Sequence, residues 1–283
     1  MEHDQAGLYQ IWKDAFNVDD QYFEFFIKEG LPLGRLLTYG PSETPYSALT
    51  LFPISYEQAG VLYSGYYLYA LGTLLSKRGK GYGRMLLKKA EEYAIDTDRQ
   101  FILLQPANFV LFRYYQHIGY HTSVLRASMK CTKANLCSLS PDGKSLQRTL
   151  SKISVPCGTN SRISSEPQFD HFIWSPLMRQ YIQKECLFRG GAVLYNAFCY
   201  PNVDYLGSFL EIKEFQSSFY QIPILVESLL TTFSHIDRFF FYGISQHVVE
   251  NGISQEAFSL IRFFNSALQK KYNTKSYFAL GLD

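Results

Sequence analysis

Between Leu71 and Lys89 the chain reads LGTLLSKRGKGYGRMLLKK, an apolar strand-like run that meets a basic, glycine-rich loop and then a helix. That order suits a phosphate group. The first amides of a helix have no internal partner and point outward, and the helix dipole adds partial positive charge there. Gly79, Gly81 and Gly83 let the main chain approach oxygen atoms without a Cβ in the way. Lys77, Arg78, Lys80, Arg84, Lys88 and Lys89 bring positive charge, and no acid falls among them. A helix start with a solvated basic face fits the same residues. Two other phosphate motifs are excluded. No Lys-Ser or Lys-Thr closes the loop as a Walker P-loop requires, and the glycines alternate instead of following the dinucleotide-binding order.

Arg78-Gly79-Lys80-Gly81-Tyr82-Gly83 fits the pattern Gln or Arg, two residues, Gly, one residue, Gly or Ala. Downstream, Leu104-Gln105-Pro106-Ala107-Asn108 leads into a helical run, Leu111 to Ile118, that ends in Gly119-Tyr120 with Tyr115 four residues before the glycine. Together these ordered motifs resemble the GNAT superfamily of N-acyltransferases over residues 66–125, with weaker likeness over 1–130.

The resemblance implies acetyl-CoA as acyl donor. Its pantetheine arm would lie along Leu71, Gly72 and Thr73, and its diphosphate on the amides of Gly79, Lys80, Gly81, Tyr82, Gly83 and Arg84, with Arg78 nearby. Asn108 matches an asparagine that contacts the pantetheine or substrate side. Tyr115 matches the tyrosine that protonates the departing thiolate, and a phenol held at hydrogen-bond range is chemically able to do so. Tyr114 is the alternative, and either could be a plain core aromatic. Family members often carry a glutamate on the strand before the loop, but Val61–Ser76 holds no acid. Glu24, Glu57, Tyr67 and Tyr69 are the substitutes weighed for a base or a water-positioning group. Tyr63, Tyr66, Tyr67 and Tyr69 could line an acceptor pocket, though alternation sends half of them to the other face.

The elements around these motifs predict an α/β (α+β) fold. A GNAT-type mixed, mostly antiparallel sheet flanked by helices is followed by a second GNAT-like domain. Helix is expected over residues 8–29, broken at Asn17–Asp20 with Asp20 as a cap. Strands are expected at Tyr46–Ser55, Val61–Ser76, Phe101–Leu104 and Tyr120–Lys130, and helices from Arg84 to Ile95 and from Asn108 to His117. Residues 131–167, rich in Ser, Thr, Asn, Gly and Pro, read as a linker. Residues 168–283 then repeat the order. Helices are expected at Ser175–Phe188, Gln221–Phe233 and Ser254–Lys270, and strands at Ala192–Tyr200, Tyr205–Phe215, Arg238–Ile244 and Ser276–Leu282. The division is 1–130, 131–167 and 168–283. The second unit has no glycine or basic cluster at Phe215–Tyr220, so it reads as a degenerate domain that completes the acceptor cleft.

Composition narrows the remaining classes. Of 283 residues 47% are hydrophobic and 18% charged, enough for a real core. The net charge of +2 argues against nucleic acid or a membrane surface as partner. Nucleic-acid binding through Lys77–Lys89, and aminoacyl transfer from tRNA, are the lesser alternatives. No run reaches the ~20 apolar residues of a membrane span, and the first ten residues do not read as a secretory signal. Five separated cysteines (Cys131, Cys137, Cys157, Cys186, Cys199), with no Cys-x-x-Cys, fit a reducing, cytoplasmic setting and no zinc site. His171, His235 and His247 lack metal-ligand spacing, so no metal is expected. The expected activity is transfer of an acetyl group from acetyl-CoA to a primary amine of a small-molecule or peptide acceptor, by direct attack in a ternary complex. The protein would be a monomer or homodimer. The alternative is a catalytically inactive CoA-binding module.

Overall fold

Apolar residues at helical spacing place Leu8, Ile11 and Trp12 on one buried face of α1 (His3–Phe16). The computed structural model describes residues 3–137, 171–195, 197–213, 221–243 and 253–272. α2 (Asp20–Phe25) follows after Asn17, whose φ of 51° breaks the helix as expected. Its cap is Asp19, one residue earlier than expected. Asp19 keeps an extended backbone, and its carboxylate accepts the Tyr22 amide at 2.7 Å.

The strands of the first half are β1 (Arg35–Tyr39), β2 (Ser47–Gln58), β3 (Val61–Thr73), β4 (Phe101–Leu104) and β5 (His121–Thr132). Helices α3 (Tyr82–Asp96) and α4 (Phe109–His117) flank β4 in sequence. The second half comprises α5 (Lys133–Cys137), β6 (His171–Trp174), α6 (Pro176–Phe188), β7 (Ala192–Leu194), β8 (Ala197–Asp204), β9 (Gly207–Lys213), α7 (Gln221–Thr232), β10 (Arg238–Gly243), β11 (Ile253–Phe263) and α8 (Ser266–Lys271).

All these strands join one sheet in the order β1-β2-β3-β4-β11-β5-β10-β9-β8-β7, with β6 added to β2. Each half contributes three antiparallel strands and a fourth that runs parallel to the third: β4 beside β3 and β10 beside β9. The halves then exchange strands. β11 lies between β4 and β5, whereas β5 lies between β10 and β11. Read inward from either end, the pairing sequence is the same.

The exchange explains one departure from expectation. Residues 254–270 were expected to form a helix, yet β11 is a strand to Phe263 and only Ser266–Lys271 is helical, capped by Asn265. A central strand is covered on both faces, so Phe258, Leu260 and Ile261 are all buried and period-two alternation is lost. Ala192–Tyr200, expected as one strand, is a hairpin that turns near Tyr195 at φ 48°. Of the linker expected at 131–167, residues 131 and 132 instead finish β5 and Lys133–Cys137 form α5; residues 138–167, the loop at 214–220 and the strand expected at Ser276–Leu282 lie outside the described residues.

Two apolar layers cover the first half. On one face, α3 and α4 bring Leu86, Leu87, Ala90 and Tyr115 onto Ile102, Leu104 and Leu260. On the other, α1, the helical turn Phe26–Gly30 after α2, and α6 pack Trp12, Phe26 and Tyr181 around Phe52, Tyr67 and Tyr69. α6 belongs to the second half, so each half is needed to seal the other.

Candidate active site

The sheet opens beside β3. Pairing with β4 ends at Leu68 opposite Leu104, although β3 continues to Thr73. On its other side β3 carries a bulge. Tyr69 pairs with Thr50 and Gly72 with Ala48, so Ala70 and Leu71 together face Leu49. Ala70 takes φ 53°, and a bulge of this kind bends and twists its strand. The result is a strand edge at Leu71-Gly72-Thr73 with no ladder partner on the β4 side among the described residues. Such an edge can accept an extended ligand as a strand accepts its neighbour.

The loop beyond β3 ends in a helix start. Gly79 and Gly81 sit at φ 74° and 81°, where side chains are strained, and a Cβ at either would meet nothing within 4 Å. Gly81 caps α3 without a side chain, and no acid lies in the first turn. The free amides therefore face open space. In front of them is a cleft of about 320 Å³ lined by Thr73, Arg78, Gly79, Gly81, Tyr82, Gly83 and Arg84. Lys77 and Tyr114 complete its wall. Lys80 is not part of that lining. Leu71 and Gly72 lie on the splayed edge above it.

The basic residues divide into anchors and free charges. Arg78 donates from Nε to the Thr73 carbonyl at 3.2 Å and from Nη2 to the Asp14 carbonyl at 2.7 Å. The Asp14 carboxylate accepts the Leu75 amide at 2.7 Å. That backbone hydrogen bond, with one from Gln10, holds Asp14 below the ordinary carboxylate range. Arg78 and Asp14 thus tie the loop to the end of α1, and sequence reading missed Asp14 because it lies 61 residues from its partner. Lys77 stands over the Tyr46 ring, Lys88 pairs with Glu92, and Lys89 donates to the Thr38 carbonyl. Lys80 and Arg84 have no ionic partner among the described residues.

α4 carries the second motif. Asn108 accepts the Leu111 amide at 3.0 Å and so caps the helix as expected, which engages the same oxygen. Gly119 ends it at φ 95°. Arg262 of β11 donates to the Ile118 carbonyl at 2.6 Å and pairs with Glu91 of α3 at 3.2 Å. Tyr115 is buried, with ring centroids 5.3 Å from Tyr114 and 5.7 Å from Tyr120. Burial, then Tyr114, raises its phenol well above the ordinary range, which keeps it protonated. Tyr114 is 37% exposed and faces the cleft near Arg84. The structure therefore sets Tyr114 at the glycine-lined cleft and Tyr115 under the sheet.

Among the residues weighed as bases, Glu24 is exposed and Glu57 pairs across β2 with Leu62 and His171. Tyr67 packs edge-on against Trp174 at 5.3 Å. Tyr69 is different, because its hydroxyl lies 3.1 Å from that of Tyr22, which donates to the buried Glu185 at 3.3 Å. No group of three metal-binding side chains occurs among the described residues; His247 lies outside them. Cys131 and Cys186 are buried thiols pushed up to about 12 and about 11 by burial, a poor state for nucleophiles.

Comparison with known proteins gives a domain match and a likeness of fold. Residues 2–123 match the model of an acetyltransferase (GNAT) domain. No curated protein matches the sequence. A GCN5-related N-acetyltransferase from Kribbella flavida shares the fold with a TM-score of 0.60 and 15% identity over 93% of this chain and 69% of its own. A probable N-acyltransferase from Enterococcus faecalis V583 gives 0.62 and 14% over 93% and 70%. A GCN5-related N-acetyltransferase from Anabaena variabilis gives 0.60 and 13% over 94% and 71%. At such identities the likeness speaks for fold. Residues 2–123 are thus similar to a GNAT acetyltransferase domain, and the fold of the chain as a whole is one seen in solved structures described as GCN5-related N-acetyltransferases.

Proposed function

We propose that the protein moves an acetyl group from acetyl-CoA to a primary amine, by direct attack within a ternary complex. The observation that carries this reading is the continuity of two features. The unpartnered edge Leu71–Thr73 runs straight into the glycine-lined cleft at the start of α3. One long ligand with an amide-bearing arm and a diphosphate fits that path. The arm pairs with the edge, and the diphosphate meets the amides of residues 79–84, with Lys80 and Arg84 supplying countercharge. Arg78 acts mainly by holding the loop to α1.

Attack by the amine joins its nitrogen to the acetyl carbonyl carbon and expels a thiolate. A backbone amide of the splayed edge polarises that carbonyl. Tyr115, kept neutral by burial, gives the thiolate its proton, while Tyr114 lines the diphosphate end. The buried thiols leave little support for an acyl-cysteine intermediate.

The chain is read as two halves, the first ending with β5 at Thr132 and the second a degenerate domain whose α6 and β11 wall the catalytic half. Its free cysteines accord with a reducing, cytoplasmic setting. The second reading is a CoA-binding module without transfer, favoured by the absence of an acid on β3. Calorimetric titration with acetyl-CoA, followed by thiol release over an amine panel, separates the two. Binding with amine-dependent thiol release supports transfer. Binding with none supports the module.

A further inference from the structure

We propose that Glu185, contributed by the second half, is the acceptor of the proton that the attacking amine must lose, and that Tyr69 and Tyr22 connect it to the reaction face of β3. This rests on the acetyl-transfer reading above. A primary amine reaches a protein mostly as its ammonium and becomes a nucleophile only after losing a proton. β3 offers no carboxylate for that task. The fold supplies one from the other half of the chain.

Glu185 lies on α6 and is 4% exposed. Such burial of a carboxylate is costly unless it is paired. Its Oε1 accepts from Tyr22 of α2 at 3.3 Å and from Arg189, one turn along α6, at 3.3 Å. The Tyr22 hydroxyl stands 3.1 Å from the Tyr69 hydroxyl on β3. The order of protons in this chain is fixed by chemistry. An ionised carboxylate only accepts, so Tyr22 spends its single proton on Glu185 and must receive one from Tyr69. The Tyr69 oxygen is then left with lone pairs that no other described residue engages.

Tyr69 is itself buried, and its place along β3 sets it beside the open edge. Tyr69 precedes Ala70, where the strand bulges, and the open edge begins at Leu71. Tyr69 also faces the α1, α2 and α6 layer, opposite the helices α3 and α4. The Tyr181 hydroxyl belongs to the same buried cluster and interacts with Tyr22, Tyr69 and Glu185. The groups that act on Glu185 are Tyr22, Tyr69, Tyr181, Arg189, Lys213 and the neighbouring thiol of Cys186. Burial outweighs Arg189 and Lys213 and raises the carboxyl above the ordinary range. Both phenols are raised further, so they pass protons without ionising.

The step balances. The ammonium proton moves to the Tyr69 oxygen as the Tyr69 proton moves to Tyr22 and the Tyr22 proton to Glu185, which becomes a neutral acid. The freed amine forms the nitrogen–carbon bond, and as the carbon–sulfur bond breaks the thiolate takes a proton from Tyr115. The second nitrogen proton leaves through solvent as the neutral amide forms and restores Tyr115, and Glu185 then gives its proton to solvent, so one proton is released per turnover.

The test is the pH profile of kcat/KM for the wild type, Glu185→Gln, Glu185→Asp and Tyr22→Phe, each with acetyl-CoA affinity and melting temperature measured. The carboxylate must be ionised to accept. Wild-type kcat/KM therefore falls as pH drops through a pKa above the ordinary ~4.3 of glutamate. Glu185→Gln should flatten that acid limb and lower turnover by about 10²–10⁴-fold, with acetyl-CoA affinity kept. Glu185→Asp should restore a limb. Tyr22→Phe, which leaves the charge in place, should cause a loss of similar kind and guards against a folding defect in the glutamine variant. Normal turnover and an intact acid limb in a folded Glu185→Gln or Tyr22→Phe protein overturn the relay alone. A wild type that binds acetyl-CoA yet releases no thiol with any amine overturns the relay and the transfer reading together.

Discussion

The two halves of the sheet share a scaffold and differ in the segment that succeeds the third strand. In the first half, β3 bulges at Ala70, parts from β4 at Leu68, and meets a loop whose Gly79 and Gly81 hold open amides at the start of α3. In the second, β9 pairs with a parallel β10 in the same manner, but the connection at 215–220 reads FQSSFY, with neither glycine nor basic residue. The same topology thus carries a glycine-lined, basic cleft in one place and lacks those residues in the other. On the proposed reading, function resides in the loop and in the local irregularity of one strand, and the shared fold does not by itself confer it. The second half still acts on the first. β11 fills the sheet beside β4, Arg262 ties α3 to α4, and α6 covers the sheet face opposite α3 and α4.

The largest effect expected on this contrast is from Gly81→Trp. Its positive φ strains any side chain and the indole would occupy the space before the amides, so acetyl-CoA binding should vanish in calorimetry. Retained affinity would make the first loop no more special than the second. Next is Tyr115→Phe, which should lower kcat by about 10²–10⁴-fold with acetyl-CoA affinity unchanged. Tyr114→Phe should instead weaken binding of the nucleotide and spare kcat. An exchange of those outcomes would move the acid to Tyr114. Leu260→Ala, at a fully buried position on β11, should cost about 2–5 kcal/mol, read as a lower melting temperature for the whole chain in a single transition. Two separate transitions would show that the halves are independent despite their exchanged strands. The smallest is Arg78→Ala, which removes the two bonds that hold the loop to Thr73 and Asp14. The KM for acetyl-CoA should rise about tenfold, in keeping with a loss near 1–1.5 kcal/mol, and kcat should stay.

Local chemistry made much of this readable in the sequence. Glycines 79 and 81 needed positive φ, Asn108 had to cap α4 and Gly119 had to end it; these are demands of single residues on their own backbone. The basic run and the strand before it were likewise contiguous. What escaped was carried by distant partners. β11 resembled a helix because burial on both faces removes the alternation that marks a strand. Asp14 gave no signal for its bond to Leu75, and Glu185 none for its position beside Tyr22, since each pairing depends on how far-apart segments fold together. The bulge at Ala70 was hidden for a related reason: only its register against β2 reveals it.

The central claim is that one ligand lies along Leu71–Thr73 and ends on the amides of residues 79–84. A crystal structure of the protein with CoA measures this directly. The account predicts the pantetheine amides paired with the β3 edge and the diphosphate oxygens within hydrogen-bond distance of the Gly79–Arg84 amides. CoA bound at another surface, or a β3 edge and glycine loop left bare at saturating CoA, would contradict it.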